Sequence, residues 1–273
     1  MIYQFFQPAP FLKEYVREYL LLHFKFDGVS INPTRAYTPC PEQCLTFDPR
    51  GRITAVDRQT GKVQRRSNAY LSGQQTACYD LHFDPDYLML KVVFQPGALF
   101  KLFGIPLNKL EGYVNADDVL GKEISLVNEQ LANTDIYEKM IQVVDLYLFH
   151  KVKKLKRQHQ PIDELASMLY CQPNQFSLNW FATQACLSPR QFERKFLERI
   201  GVPARLYHRI ARFNKAFELK DKHPELDWLD ISETCGYTDF QHMNKDFKQF
   251  AGVTPTTLLK AHEQATEKLL RLV

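Results

Sequence analysis

The feature that most constrains the fold is a pattern that occurs twice in the C-terminal part, about fifty residues apart. Each copy reads as a short helix, a sharp turn and a second helix, and the second helices begin near Ser188-Pro-Arg-Gln and Thr238-Asp-Phe-Gln. This is the pattern of a helix-turn-helix unit, whose second helix has the shape needed to enter a DNA major groove. Two copies predict an all-helical C-terminal part with two reading helices.

Local signals in the first copy predict where its helices start and stop. Ser177 is expected to cap the first helix and Ser188 the reading helix. Pro189 suits the first helical position, and Gln191 is placed to complete a capping box with Ser188. Gly201 is expected to end the reading helix.

The second copy repeats these signals. Asp227 is expected to cap its first helix, and Gly236 can take the left-handed conformation of the turn. Thr238 is predicted to begin the reading helix, with Gln241 as its capping partner and Gly252 as its end.

A single helix is predicted between the two units, over about 203–220. At 1.5 Å per residue, eighteen residues span roughly 27 Å. One DNA turn is about 34 Å, so a rigid pair of reading helices could address successive major grooves.

The outward faces of the two reading helices carry side chains that contact bases and phosphates in other proteins. Apolar residues at helical spacing, such as Phe192 and Phe247, mark the opposite, buried faces. The candidate DNA-binding residues are Arg190, Gln191, Glu193, Arg194 and Lys195 in the first helix, and Gln241, His242, Asn244, Lys245 and Lys248 in the second.

Positive charge is concentrated in the same part of the chain. Residues 1–150 hold 15 Lys/Arg against 17 Asp/Glu, whereas residues 151–273 hold 20 against 14, so the net charges are −2 and +6. A basic surface favours contact with phosphates. A protein-interaction module that uses the same helices is the alternative, and salt dependence separates the two, because binding through phosphates weakens steeply with salt.

The N-terminal part has the pattern of an antiparallel β domain, either a sandwich or a cupin-like barrel. Short β-favouring runs alternate with turn-forming sequences. The runs are 44–47, 52–56, 69–72 and 88–94, and the turns are 48–51, 59–62 and 84–86. From Leu120 the apolar period becomes helical and predicts two helices. The predicted class is therefore α+β, with a β-rich domain at 1–158 and a tandem helix-turn-helix domain at 159–273.

Two roles are open for the β domain: binding a small-molecule effector, or pairing two subunits. For a barrel with a ligand cavity, the candidate ligand-binding residues are Phe47, Tyr79, His82 and Phe94, although core packing explains them equally well. The apolar stripes of the two following helices either pack on the β domain or form a homodimer interface.

A metal-dependent barrel enzyme is the remaining alternative, and the sequence argues against it. Before residue 150 the histidines are His23 and His82, which are not spaced as a His-x-His pair. Cys40 and Cys44 lack the second pair and the nearby histidine of a zinc site. We expect no catalysis, metal or cofactor, and a cytoplasmic protein with reduced thiols and no membrane segment.

One long segment of the second unit, Cys235-Gly-Tyr-Thr-Asp-Phe-Gln-His-Met-Asn-Lys-Asp-Phe-Lys-Gln-Phe-Ala-Gly-Val-Thr-Pro, resembles the signature of AraC-type transcriptional regulators, the arabinose-regulator family. In that signature a Gly-aromatic turn precedes the reading helix and Gly-x-Thr-Pro follows it. Leu187-Ser-Pro-Arg-Gln-Phe-Glu-Arg-Lys-Phe is the matching piece of the first unit. Two positions depart from the pattern: Ser232 replaces the usual alanine, and Cys186 replaces the usual turn glycine.

The resemblance implies a transcription regulator of double-stranded promoter DNA, with RNA polymerase as a further partner. By resemblance, the base-facing positions are Arg190, Glu193 and Arg194 in the first reading helix, and Gln241, His242 and Lys245 in the second. The segments 39–47 and 93–104 resemble the β-rich sensor domains of this family, which implies a small-molecule effector or a homodimer. Because a left-handed cysteine is strained by about 1–2 kcal/mol, the first turn is expected to be strained or reshaped.

Overall fold

A computed structural model describes residues 2–25, 34–110, 112–155, 160–173 and 176–263. Within these ranges, strands predominate up to residue 115, and every later element is a helix. The α+β class and the antiparallel β domain are therefore confirmed. The boundary predicted near residue 158 lies outside the described residues.

The described strands form two antiparallel sheets. They are β1 (Ile2–Phe6), β2 (Val16–Lys25), β3 (Thr34–Tyr37), β4 (Cys44–Arg50), β5 (Ile53–Asp57), β6 (Val63–Arg65), β7 (Ala69–Ser72), β8 (Tyr79–Phe83), β9 (Asp86–Phe94) and β10 (Tyr113–Asn115). The larger sheet has the order β1-β2-β9-β4-β7-β10, and the smaller one β3-β8-β5-β6. The sheets face each other, since Leu20 and Met89 of the larger sheet share an apolar cluster with Ile53 and Phe83 of the smaller one.

The outer face of the larger sheet is covered by helices. These are α1 (Ala98–Phe103), α2 (Ala116–Leu120), α3 (Glu123–Ala132) and α4 (Tyr137–Lys153). Ile124 of α3 and Val144 of α4 belong to the same buried cluster as Leu45 and Val92 of the sheet. The two helices predicted after residue 120 are thus α3 and α4, and their apolar stripes pack on the β domain.

Strand β4 continues where a turn was predicted at 48–51. Pro49 cannot donate a hydrogen bond to a neighbouring strand, and a register shift between Phe47 and Arg50 accommodates it. The chain turns only at Gly51, which has a φ of 66°. The irregularity keeps the buried Asp48 within the strand.

The C-terminal part consists of helices only. They are α5 (Pro161–Cys171), α6 (Leu178–Gln184), α7 (Pro189–Ile200), α8 (Ala204–Lys222), α9 (Trp228–Thr234), α10 (Phe240–Ala251) and α11 (Pro255–Glu263). The first helix-turn-helix unit is α6 with α7, and the second is α9 with α10. The connecting helix α8 has 19 residues, so it is about 28 Å long.

Most of the predicted helix boundaries are confirmed. The Ser177 hydroxyl accepts a hydrogen bond from the Trp180 N–H, and Ser188 and Gln191 form the expected capping box. Gly201 ends α7 with a φ of 94°. Asp227 accepts from two N–H groups at the start of α9.

The prediction that Thr238 starts the second reading helix is wrong by one residue. The cap is Asp239, whose carboxylate accepts a hydrogen bond from the His242 N–H at 2.7 Å. Because His242 then holds the third helical position, Gln241 has no capping role. Aspartate caps a helix at least as well as threonine does, so the sequence alone did not distinguish Thr238 from Asp239 as the cap.

The turns of the two units have the same hydrogen bonds. In the first turn, the Cys186 N–H donates to Thr183 O at 3.0 Å, and the Leu187 N–H donates to Ala182 O at 2.9 Å. In the second turn, the N–H groups of Gly236 and Tyr237 donate the equivalent hydrogen bonds. Cys186 has a φ of 53°, and it is the one non-glycine with a positive φ in the described ranges. The first turn therefore keeps the left-handed conformation and is not reshaped.

Replacing Cys186 by glycine is expected to raise the free energy of unfolding by about 1 kcal/mol, because glycine adopts a positive φ without strain. Urea unfolding of the full chain, followed through the fluorescence of Trp180 in the Trp228→Phe background, would measure it. Cys186→Ala is the matched control, since alanine keeps the strain and should give no gain. A glycine variant no more stable than wild type would contradict this account of the turn.

Candidate nucleic-acid interface

The first reading helix, α7, divides into a buried face and an exposed face. Phe192, Phe196 and Ile200 are buried in the core of the first unit. Arg190 and Arg194 are exposed one helical turn apart, which places both guanidinium groups on the surface that a duplex would meet. Gln191 is also exposed but bonds to Ser188 in the capping box, and Lys195 is half-buried.

Glu193 makes a contact inside the domain. Its carboxylate accepts a hydrogen bond from the Ala204 N–H at 3.3 Å, at the start of α8. A carboxylate at this position also interacts favourably with the positive end of the helix dipole. Glu193 therefore joins α7 to α8, and the structure does not present it beside Arg190 and Arg194 as a free base-contacting group.

The second reading helix, α10, has the same division. Met243, Phe247 and Phe250 are buried, whereas Gln241, Lys245 and Lys248 are exposed. The exposed residues follow one another at intervals of three or four and form one stripe.

His242 and Asn244 of α10 are half-buried at the edges of that stripe. The His242 ring meets the Tyr237 ring edge-on, with 5.5 Å between centroids, and its Nε2 lies 3.5 Å from Arg212 Nη2. Four cationic candidates are thus exposed, namely Arg190, Arg194, Lys245 and Lys248, whereas Lys195 and Asn244 are half-buried. Glu193 and His242 make contacts inside the domain.

A buried ionic network fixes α10 against α8. Asp246 is 1% exposed, and its carboxylate accepts from Arg209 at 2.6 Å and from Arg212 at 3.3 Å. Arg212 also donates to Gly236 O at 3.1 Å and lies over the Tyr237 ring. The network joins the connecting helix, the turn and the reading helix, so it determines the direction in which Lys245 points.

A second buried ion pair holds α7 against α5, next to the β domain. Arg199 of α7 and Asp163 of α5 are 2.8 Å apart, and both are almost fully buried. The Arg199 guanidinium lies over the Phe100 ring of α1, 4.8 Å from its centroid.

A glutamine side chain adds to this junction. Gln43 Nε2 donates to the carbonyl oxygens of Arg199 and Ile200 at 3.2 and 3.3 Å, at the C-terminus of α7. Its Oε1 accepts from the Gly97 N–H at 3.3 Å, at the start of α1. The first reading helix is therefore held by groups from the β domain as well as by its own unit.

Sequence reasoning missed Asp246, Arg199 and Gln43. A signal existed for the first two, because each charged residue interrupts the apolar stripe of its amphipathic helix, and a charge on that face needs a buried partner. Nothing in the sequence indicated the role of Gln43, which depends on the packing of two domains.

A cavity of about 250 Å³ lies between the two sheets. Its walls include Leu20, Met89 and Lys91 of the larger sheet and Leu81 and Phe83 of the smaller one. The C-terminal part closes one side. The closing residues are Asn214 and Phe217 of α8 and Leu258, Ala261 and His262 of α11.

None of the four ligand-binding residues expected from the sequence lines this cavity. Side chains alternate along a strand, and Phe47 and Phe94 lie on the face that packs against the helices. His82 has the opposite parity to the cavity-lining Leu81 and Phe83 and bonds to Thr34. Tyr79 shares their parity but lies at the strand end, against the Tyr113 ring.

Asp246→Asn is expected to lower the free energy of unfolding by about 3 kcal/mol, because it leaves two arginines without a buried counter-charge. The second unit contains Trp228, whose ring packs on Phe247, so its fluorescence in the Trp180→Phe background reports urea unfolding there. Asp230→Asn, an exposed exchange in the same unit, should change the value by less than about 0.5 kcal/mol. Equal stabilities for the two variants would show that the network does not hold α10.

A family described as a helix-turn-helix domain matches residues 181–261, and a domain of unknown function matches residues 4–115. No curated protein matches the chain. Among the described residues, no helix is long and apolar enough to span a bilayer.

The solved structures include the regulator ToxT from Vibrio cholerae and the global transcriptional factor AdpA. An apo lysine-to-alanine variant of ToxT is 13% identical, with a TM-score of 0.51 over 89% of this chain and 97% of that one. ToxT with a bound unsaturated fatty acid is 13% identical, with a TM-score of 0.49 over 91% and 95%. The DNA-binding domain of AdpA, in complex with a target DNA, is 22% identical, with a TM-score of 0.36 over 38% and 95%.

The ToxT comparison shows the fold over 89% of this chain, and the family match extends from within α6 to α11. Together with the two helix-turn-helix units, these findings support a DNA-binding transcription regulator of the AraC type, with a β-rich N-terminal domain that serves in sensing or dimerisation.

Proposed function

We propose that this regulator reads two successive major grooves on one face of promoter DNA, with α7 in one groove and α10 in the next. The proposed base and phosphate contacts are those of the exposed residues Arg190, Gln191, Arg194, Gln241, Lys245 and Lys248, with the half-buried Lys195, His242 and Asn244 at the edge. Arginine and glutamine can bond to base edges, whereas lysine contributes mainly to phosphate binding.

The observation that carries this proposal is the continuity of α8. Its first turns contribute Ala204 and Tyr207 to the core of the first unit, and its later turns contribute Phe213 and Ala216 to the core of the second. One rigid helix of about 28 Å therefore sets the distance between the readers. The length of α8 is somewhat shorter than the DNA repeat of about 34 Å, and bending of the duplex can compensate for this difference.

The effector role is the second part of the proposal. The cavity is closed by residues of α8 and α11, so a molecule that binds there contacts both the β domain and two helices that pack on the core of the second unit. We place the protein in the cytoplasm, where it meets chromosomal DNA. We also propose a homodimer through the outer faces of α3 and α4, where Leu126 and Leu146 are exposed. A contact with RNA polymerase completes the proposal.

Arg194→Ala and Lys245→Ala are each expected to weaken binding to the DNA upstream of the regulator's own coding sequence by about 1–3 kcal/mol. Fluorescence anisotropy with the full chain at several salt concentrations would measure this, because a lost phosphate contact lowers the salt slope by about 0.9. Lys13→Ala, an exposed exchange in the loop before β2, is the matched control and should bind as wild type does.

A base-substitution scan of the bound site tests the two-groove arrangement itself. The Arg194 variant should lose discrimination at one set of base pairs, and the Lys245 variant at another set about 10 base pairs away. Loss at the same positions in both variants, or unchanged preference in both, would contradict the proposed arrangement. Binding that is insensitive to salt would instead favour a protein partner.

A further inference from the structure

The His242 side chain of α10 has one ring nitrogen inside the domain and the other at its surface. Nε2 lies 3.5 Å from Arg212 Nη2. The imidazole also meets the Tyr237 ring edge-on, with the two planes at 85° to each other. Among the described residues Nδ1 has no hydrogen-bond partner, and it is not one of their buried unpaired atoms. Nδ1 is therefore the nitrogen that a bound duplex can reach.

The guanidinium that approaches Nε2 is itself held in place. Arg212 is 6% exposed, and its Nη1 donates to Gly236 O at 3.1 Å. Its Nη2 lies 3.3 Å from Asp246 Oδ2, and the guanidinium carbon lies 3.9 Å from the centroid of the Tyr237 ring. These contacts oppose rotation of the guanidinium away from His242, so its approach to Nε2 is a fixed feature of the second unit.

This contact determines which nitrogen of the His242 ring carries the proton. An arginine side chain stays protonated and can only donate hydrogen bonds, so Nε2 must be the acceptor. A neutral imidazole has one N–H donor and one acceptor nitrogen, and the proton is therefore on Nδ1. A proton on Nε2 would face the guanidinium and break this hydrogen bond. The nitrogen at the surface is consequently a donor.

His242 also occupies the part of the reading helix that is expected to meet the bases. It is the third residue of α10, and in helix-turn-helix proteins the N-terminal residues of the reading helix contact base edges. The exposed Lys245 follows it by three residues and lies on the same side of the helix. The Nδ1–H donor is thus at the edge of the surface that we place in the major groove.

We propose that His242 recognises a purine by donating from Nδ1 to the purine N7 atom, and that Arg212 is the positioning residue that keeps the proton on Nδ1. Adenine and guanine both present N7 as an acceptor in the major groove, whereas cytosine presents an amino donor. A single N–H donor distinguishes which strand carries the purine, but it does not separate adenine from guanine. The proposal rests on the proposed function, which places α10 in a major groove.

Nuclear magnetic resonance of the full chain without DNA tests the position of the proton. The chain is labelled with ¹⁵N-histidine and measured at about pH 8, where imidazole is mostly neutral. Correlation of the ring nitrogens with the carbon-bound ring protons separates a protonated nitrogen from an unprotonated one, and the His242→Asn variant assigns the signals. We expect a protonated Nδ1 and an unprotonated Nε2, and the reverse result overturns the proposal.

Arg212→Gln tests the positioning role, because an amide can accept as well as donate. The proton of His242 should then be found on Nε2 in part of the molecules. A folded Arg212→Gln variant with the proton wholly on Nδ1 would show that Arg212 does not place it. Should this variant not fold, the wild-type spectrum decides whether Nε2 is the acceptor.

A scan with 7-deazapurines, which have a C–H group in place of N7, tests the contact with DNA. The probe is the segment that wild type protects in the DNA upstream of the regulator's own coding sequence, with each purine replaced in turn. Fluorescence anisotropy should show that one replacement weakens wild-type binding by about three- to tenfold, the effect of one hydrogen bond. His242→Ala should bind unmodified DNA more weakly by a similar factor and should not respond to that replacement.

Two further variants serve as comparisons. His242→Asn should keep the response to 7-deazapurine, because its amide nitrogen is bonded to Cγ as Nδ1 is. His82→Ala changes a half-buried histidine of β8, outside the helix-turn-helix units, and should bind and respond as wild type does. Exchange of adenine and guanine at the sensitive position should change the affinity by less than about twofold, whereas cytosine there should cost the full factor.

The absence of any purine whose 7-deaza effect is lost in His242→Ala overturns the proposal, and so does a preference of more than about tenfold between adenine and guanine at that position. The Arg194 and Lys245 variants separate this result from the proposed function. If their base pairs lie about 10 apart and no purine depends on His242, the two-groove arrangement stands and the role of His242 is wrong. If their base pairs coincide and one purine depends on His242, the arrangement fails and the role of His242 stands.

Discussion

The connecting helix α8 fixes the positions of the two helix-turn-helix units relative to each other. A helix propagates its direction without a hinge, and α8 contributes buried side chains to both helix-turn-helix cores. Leu206 packs against both clusters, at the point where one core gives way to the other. The separation of the reading helices is consequently a property of one secondary-structure element, and a loop in its place would not determine it.

Both reading helices are fastened to this frame by carboxylates. Glu193 of α7 caps the N-terminus of α8, and Asp246 of α10 binds Arg209 and Arg212 farther along it. Because Glu193 and Asp246 are engaged in internal contacts, the exposed face of each reading helix is more basic than the composition of the helix suggests.

The sequence predicted the C-terminal domain closely because its signals are local. Ser177, Ser188, Asp227 and Gly201 act on backbone groups a few residues away, so their roles can be inferred without knowledge of the fold. The cap at Asp239 was missed by one position, which is the usual precision of such signals. In the N-terminal part the two helices followed from their period, and the strands β4, β5, β7 and β9 from β-favouring runs. The other described strands, including the long β2, were not predicted.

The cavity was not predictable, because it depends on which face of each strand meets the second sheet. Aromatic side chains at Phe47 and Phe94 suggested a ligand site, but alternation places them on the face of the larger sheet that the helices cover. The residues that do line the cavity include Arg66, which lies in a connecting loop where the sequence has no periodic pattern. The ion pair of Arg199 and Asp163 likewise joins residues 36 positions apart, and only tertiary packing brings them together.

The junction around Gln43 has a bearing on how such regulators exchange parts during evolution. Asp163 Oδ1 would lie only 2.8 Å from a Cβ atom at position 97, so the close approach of α5 to α1 requires the glycine that is present. A recombined protein that kept this β domain but took its helix-turn-helix domain from another source would keep the Gln43 hydrogen bonds only if the new domain ended a helix at the same position. The exchange of β domains and helix-turn-helix domains between regulators is therefore constrained by a small, specific set of matched residues at this junction.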